Sequence, residues 1–210
     1  MGRVVAIFDV DRTLIQGYSE RLFFRYLVHR GLLPVPRALS YLGRLAWNPR
    51  ARFRDKTYLQ GLPVEDILHL ARQCYQENIA PRLSDVGLAC VREHQAQGHG
   101  IVLLTGSLSF LMLPLKEKLD ADWLIATEVA RNGRFLTGQI AGLHPRGENK
   151  LRLLLELSLA HNLDLARSFA YGDHLQDLHL LRGIGYPVAV NPSWRLKRLA
   201  RRHRWPIRSF

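Results

Sequence analysis

Asp9 and Asp11 stand one residue apart at the end of the first hydrophobic run of the chain, residues 4–8. Carboxylates this close repel, and each raises the other's pKa unless a cation intervenes. A hard divalent cation such as Mg2+ takes oxygen ligands of this kind. The pair therefore points to metal-assisted chemistry on phosphate. Three later segments carry polar groups that could join it: Leu104-Thr105-Gly106-Ser107, Arg146-Gly-Glu-Asn149 leading into Lys150, and Gly172-Asp173-His174-Leu-Gln-Asp177.

The elements around these segments can be read from periodicity. Residues 4–8 form a short, β-branched, non-alternating run, the mark of a strand buried on both faces. Residues 18–93 read as helical. Leu22, Phe23, Tyr26 and Leu27 recur at helical spacing, a Pro-containing break covers 32–36, and Leu39, Leu42, Leu45 and Ala46 restart the pattern. A third helix is expected over 63–79 and a fourth after Pro81. Strands are expected at 101–104, 123–127, 168–171 and 187–190, with a hairpin over 128–142 turning at Asn132-Gly133. Helices are expected at 110–119, at 150–161 on a stripe of Leu151, Leu154, Leu155 and Leu159, and at 176–182. Ser107 reads as the N-cap of the first of these. Alternating strands and helices imply an α/β fold with a parallel sheet. Ligands of such sheets bind beyond the carboxyl ends of the strands, where Asp9, Asp11, Thr105 and Asp173 all fall.

The chain of 210 residues is long enough for one good core with a small second lobe. It has no apolar run long enough to span a bilayer and no recognisable signal peptide, so a cytoplasmic location is expected. Cys74 and Cys90 are read as buried free thiols. The net charge is +12, and the excess is uneven. Residues 21–54 hold eight arginines and no acid; residues 178–210 hold eight Lys/Arg and no acid. Such stretches suit phosphate-bearing partners: a small anionic substrate, lipid headgroups at a membrane surface, or nucleic acid. A solvated basic face is the bland alternative.

Taken together and in this order, the four polar segments resemble those of the haloacid dehalogenase superfamily of phosphatases. The likeness covers nearly the whole chain, and the helical insert between the first two segments is similar to that superfamily's type-1 cap. The phrases Ala170-Tyr171-Gly172-Asp173 and Pro187-Val-Ala-Val-Asn191-Pro192, the 128–142 hairpin and Gly147-Glu-Asn-Lys150 are similar to the subfamily containing phosphoserine phosphatase. The resemblance implies a Rossmann-like catalytic core over 1–16 and 95–210 and a helical cap over 17–94. It implies a phosphoric monoester hydrolase with Mg2+ as cofactor and an aspartyl-phosphate intermediate.

It also implies roles. Asp9 would be the nucleophile and Asp11 the general acid and base. Mg2+ would be held by the Asp9 carboxylate, the Asp11 backbone carbonyl and Asp173, with Asp177 outside them bracing metal waters or Lys150. Thr105 and the Gly106 amide would hold a phosphoryl oxygen, and Lys150 would supply fixed positive charge. Thr13 would brace the loop. His174 stands where Ser or Gly is commoner, and either a substrate contact or a structural role is open to it. The family's cap glutamate has its nearest counterpart in Glu20, two positions further along than expected; Arg54 is a second candidate substrate contact. A small phosphorylated metabolite of the amino-acid or amino-alcohol phosphate class is the expected substrate. A lipid phosphate at a membrane surface is the alternative, and a non-catalytic basic nucleic-acid-binding module the remote one. The sequence leaves the oligomeric state open.

Overall fold

A computed structural model describes residues 2–48 and 56–210. Its sheet has the strand order β4-β3-β2-β1-β5-β6-β7. The strands are β1 (Val5–Phe8), β2 (Gly100–Leu108), β3 (Trp123–Asn132), β4 (Phe135–Ala141), β5 (Phe169–Gly172), β6 (Tyr186–Val190) and β7 (Ile207–Arg208). All neighbouring pairs run parallel except β3 and β4, which form the expected antiparallel hairpin. The helices are α1 (Ser19–His29), α2 (Val35–Trp47), α3 (Val64–Cys74), α4 (Asp85–Ala96), α5 (Ser109–Lys118), α6 (Glu148–His161), α7 (Leu178–Arg182) and α8 (Trp194–Arg202). This is the α/β architecture that the alternating pattern predicts, and both cysteines are buried and free.

Side chains of β1 alternate between two cores, as the pleat requires. Val5 and Ile7 face one that includes Leu154 of α6, Leu180 and Leu181 of α7, and Leu196 and Ala200 of α8. Ala6 and Phe8 face the other, which takes in α1, α3, α4 and α5. The second core continues from the sheet into the helical insert without a polar break. Buried His94 of α4 joins it to β5: its Nε2 lies 2.8 Å from the Tyr171 hydroxyl, and Phe8 stacks on Tyr171.

The structure departs from the periodicity reading at several points. In α6, Leu154 is buried, but Leu155 and Leu159 are exposed, Leu159 by 86%. Lys150 turns inward, and the helical repeat carries that phase to Leu154, away from Leu155. In α2 the inward residues are Ala38 and Tyr41, not Leu39 and Leu42. Tyr41 packs on Phe24 and Tyr58, with ring centroids 5.4 and 4.9 Å apart, and this fixes the rotation of the helix. The side chain of Leu45, and Arg50, Arg52, Phe53 and Arg54, lie outside the described residues. Strand β2 runs on to Leu108, so Ser107 is a strand residue and not the cap of α5; its Oγ lies 2.7 Å from that of Ser19. Strand β7 follows the tail helix and leaves no mark on the sequence pattern, since two residues carry no periodicity.

Candidate active site

Strand β1 ends at Phe8, and the loop that follows is wound tightly around one carbonyl. Val10 O accepts hydrogen bonds from the amides of Thr13, Leu14 and Ile15 at 3.2, 2.9 and 3.0 Å. Arg12 takes a left-handed conformation, φ 66°, which is uncommon for a residue with a side chain. Asp9 is aligned by its amide, which donates to Tyr171 O of β5 at 2.9 Å. Because β1 lies between β2 and β5, the three strand ends meet where the sheet order reverses.

Four buried charges meet at that edge. Lys150 Nζ donates to Asp9 Oδ1 at 2.5 Å and to Asp177 Oδ1 at 2.6 Å. Asp9, Asp173 and Asp177 each direct an oxygen to within 4.8 Å of the others. Thr13 Oγ1 donates to Asp9 Oδ2 at 3.3 Å, the bracing role expected of it. Asp11 points elsewhere: its Oδ1 accepts from the Ser19 amide at the start of α1, 2.9 Å away. Thr105 is buried and accepts from the Ser107 amide at 3.1 Å.

Burial costs these groups. It pushes the Asp9 carboxyl well above its ordinary value; Lys150 opposes the shift, while Asp177 and Asp173 add to it. Burial, with Asp177, raises Asp173 to about 7 against the pull of Arg12 and Lys150. Burial also raises Asp11 to about 6, with the Ser19 contact opposing. Lys150 runs the other way. Burial alone would lower its pKa, but Asp177 and Asp9 overcome this and hold it protonated.

The carboxylates suit a divalent cation on these grounds. Lys150, with half-exposed Arg12 beside Asp173, does not balance three buried acids. Buried Asp173 Oδ2 has no hydrogen-bond partner among the described residues, although Arg12 Nε lies 3.0 Å away without the alignment of a hydrogen bond. A hard oxygen-seeking ion would complete both the charge and the coordination.

Other expected residues are accounted for differently. His174 serves the backbone: its Nδ1 accepts from the Gln176 amide while its own amide donates to Asp177 Oδ2, a reciprocal cap on the turn before α7. Glu20, in the first turn of α1, accepts from Lys56 Nζ at 2.7 Å and from the Tyr58 hydroxyl at 3.1 Å. Arg54 lies outside the described residues.

Sequence reading missed three neighbours of the site. Lys56 is almost fully buried yet belongs to no motif. Arg12 reaches Asp173 only because of its backbone conformation. His144 lies against Gly106, where an added Cβ would meet its ring at 3.4 Å. Thr127 Oγ1 donates to Gly106 O and lies 2.7 Å from His144 Nδ1, so that nitrogen carries the proton. Burial, with Lys56 next, lowers the His144 pKa to about 4 and keeps the ring neutral. Its position six residues before Lys150 was the one available hint.

A parallel sheet that gathers buried acids and a lysine at its switch point places them where such sheets bind their ligands. The chain belongs to the haloacid dehalogenase-like hydrolases, whose family model matches residues 6–182. Over 216 aligned positions it is 30% identical to phosphoserine phosphatase SerB1 of Mycobacterium tuberculosis, covering 98% of this chain and 70% of that protein. It is 27% identical to a histidinol-phosphatase of Neisseria meningitidis, covering 98% of both chains. Among solved structures, a Bordetella pertussis protein of unknown function superposes with a TM-score of 0.88 at 25% identity, covering 99% of this chain and 98% of that one. A phosphoserine phosphatase bearing a phospho-aspartyl intermediate analogue shares the fold, with a TM-score of 0.69 at 19% identity over 100% of this chain and 94% of that one. The superfamily resemblance and the α/β fold expected from the sequence are thereby established.

Proposed function

We propose that the protein is an Mg2+-dependent phosphomonoester hydrolase that works through an aspartyl-phosphate on Asp9. The observation that carries this reading is the convergence at the end of β1 of Asp9, Asp173 and Asp177, whose oxygens lie within 4.8 Å of one another, with Lys150 bonded to Asp9 and Asp177. The reading divides the chain into a sheet core and a helical cap, with α1 to α3 in the cap. We draw the later boundary before α4 rather than at residue 94, because α4 packs on β2 and reaches β5 through His94.

Asp9, Asp173 and the Asp11 carbonyl would hold Mg2+, which supplies positive charge between nucleophile and phosphoryl group. Asp9 attacks phosphorus and the leaving oxygen departs with a proton from Asp11, whose raised pKa suits a group that starts protonated. Asp11, now a base, takes a proton from the water that hydrolyses the acyl phosphate. Lys150 stays charged and stabilises the negative charge that gathers on the phosphoryl oxygens. Asp177 positions Lys150. The Thr105 hydroxyl and Gly106 amide bind phosphoryl oxygens, and His144 with Thr127 fixes the Gly106 peptide for that task.

The substrate is a small phosphorylated metabolite of the amino-acid or amino-alcohol phosphate class. The Glu20–Lys56 pair supports this: it offers both signs of charge beside Asp11, where a zwitterionic leaving group would lie. Lipid phosphates and nucleic acid, the other two readings, draw no support from the relatives. The test is a phosphatase screen over a metabolite panel, with and without chelator. Turnover of an amino-acid or amino-alcohol phosphate that disappears in Asp9→Asn is expected. Undiminished turnover in that variant overturns the mechanism, and undiminished turnover after chelation overturns the metal.

A further inference from the structure

The phrase Pro187-Val-Ala-Val-Asn191-Pro192 has no task in the mechanism above. Strand β6 ends at Val190, and the chain turns through 191–193 into α8. That turn touches two other loops. Asn191 Nδ2 donates to Arg12 O at 3.3 Å, in the loop after β1, and the Ser193 amide donates to Asp173 O at 2.9 Å, in the loop after β5. The two loops also meet directly, Arg12 Nε lying 3.0 Å from Asp173 Oδ2. Asn191 is itself well held. Its backbone amide donates to Arg208 O at 3.0 Å, and the backbone of Phe210 occupies the rest of its side-chain amide. Its φ of 40° lies in the left-handed region, which asparagine tolerates better than most side chains.

We propose that Asn191 is a positioning residue: through the Arg12 carbonyl it holds the loop of Asp9 and Asp11 in register with that of Asp173, and so sets the affinity for the divalent cation. Arg12 is the lever. Its unfavoured left-handed backbone is fastened at both ends, the amide donating to Ile15 O at 2.7 Å and the carbonyl accepting from Asn191. Released by Asn191, Arg12 would relax. The peptide it shares with Asp11 would turn with it, and its guanidinium would leave Asp173. Groups that orient metal ligands tune metal affinity without touching the ion. The inference rests on the proposed function for the identity of the cation, and adds to it a residue that acts only through its neighbours.

Isothermal titration calorimetry of Mg2+ into the full chain, with no substrate present, tests it. Asn191→Gly removes the side chain while its backbone accepts a left-handed φ without strain. It is expected to weaken Mg2+ binding about 10–100-fold. Asn191→Asp serves where the glycine variant does not fold. It keeps the outline of the side chain and the acceptor for the Phe210 amide, but cannot donate to Arg12 O. It too is expected to bind Mg2+ more weakly, although an added carboxylate by itself would attract a cation. Leu115→Ala, which opens a cavity at a fully buried position of α5, controls for general destabilisation. It should lower Tm and leave Mg2+ affinity unchanged. Mg2+ affinity equal to wild type in a folded Asn191 variant, or an equal loss in Leu115→Ala, overturns this proposal alone. A wild type that binds no Mg2+ overturns the metal reading and this proposal together.

Discussion

At the catalytic edge, acids and a lysine are buried where water would serve them better; along α2, apolar side chains stand in water where burial would serve them better. Each region departs from the ordinary sorting of side chains, and each has a different remedy. The edge holds its own partial remedy in Lys150, which touches both Asp9 and Asp177, and the metal would supply the rest. The α2 ridge has no remedy within the described chain. The edge is short of positive charge, whereas the ridge is short of apolar contact. Several substitutions would break or sharpen that contrast.

The largest effect belongs to Asp9, the proposed nucleophile. Asp9→Asn should reduce turnover by roughly a thousandfold or more with the fold intact, since an amide cannot attack phosphorus; steady-state kinetics beside a thermal melt checks both halves. Next comes Lys150→Met, which strands two carboxylates. It should destabilise the metal-free protein by about 3–5 kcal/mol, and added Mg2+ should recover part of that loss in urea denaturation.

The third prediction inverts the usual outcome of removing a charge. Asp11 titrates at about 6 in the fold, against an ordinary value of 3.8. The folded state therefore binds more protons than the unfolded one between these values, and stability falls as pH rises through that window. Asp11→Asn should stabilise the metal-free protein by about 1–3 kcal/mol at pH about 7.5 and change it little near pH 4. A loss of stability at the higher pH would show that the carboxylate is not the burden its burial implies. Smaller still, Thr127→Val should raise KM about tenfold by releasing the Gly106 peptide and His144, at a stability cost of about 1 kcal/mol. The smallest effect falls on the other region. Leu39→Ser should alter stability by no more than about 0.5 kcal/mol, whereas Leu154→Ala in the core should cost about 2–5 kcal/mol. A large loss at Leu39 would mean that the ridge is packed after all.

Much of this was legible in the sequence because parallel sheets place loops at one edge. Asp9, Asp11, Thr105 and Asp173 could be grouped from strand ends alone, whereas Lys150, in the first turn of α6, joined them through the family resemblance. The phases of α2 and α6 could not. Both helices carry leucines on more than one face, and the choice among faces is made by Tyr41 against Phe24 and Tyr58 in one case and by inward-turned Lys150 in the other. Arg12 and His144 escaped for another reason. Their places depend on a left-handed backbone and on a loop packed against Gly106, and neither leaves a periodic trace. Lys56 lacks even a motif around it.

The side chain of Asn191 has a wider consequence. Its Nδ2 donates to Arg12 O at 3.3 Å, across 179 residues, and to Phe210 O at 3.2 Å, while its Oδ1 accepts from the Phe210 amide at 3.2 Å. One amide group thus fastens the loop after β1 to residues that leave the ribosome long after it. The contact between that loop and Asn191 forms only after residue 191 has been made. The loop is thereby tied to closures of long sequence separation, the kind that make such topologies slow to fold.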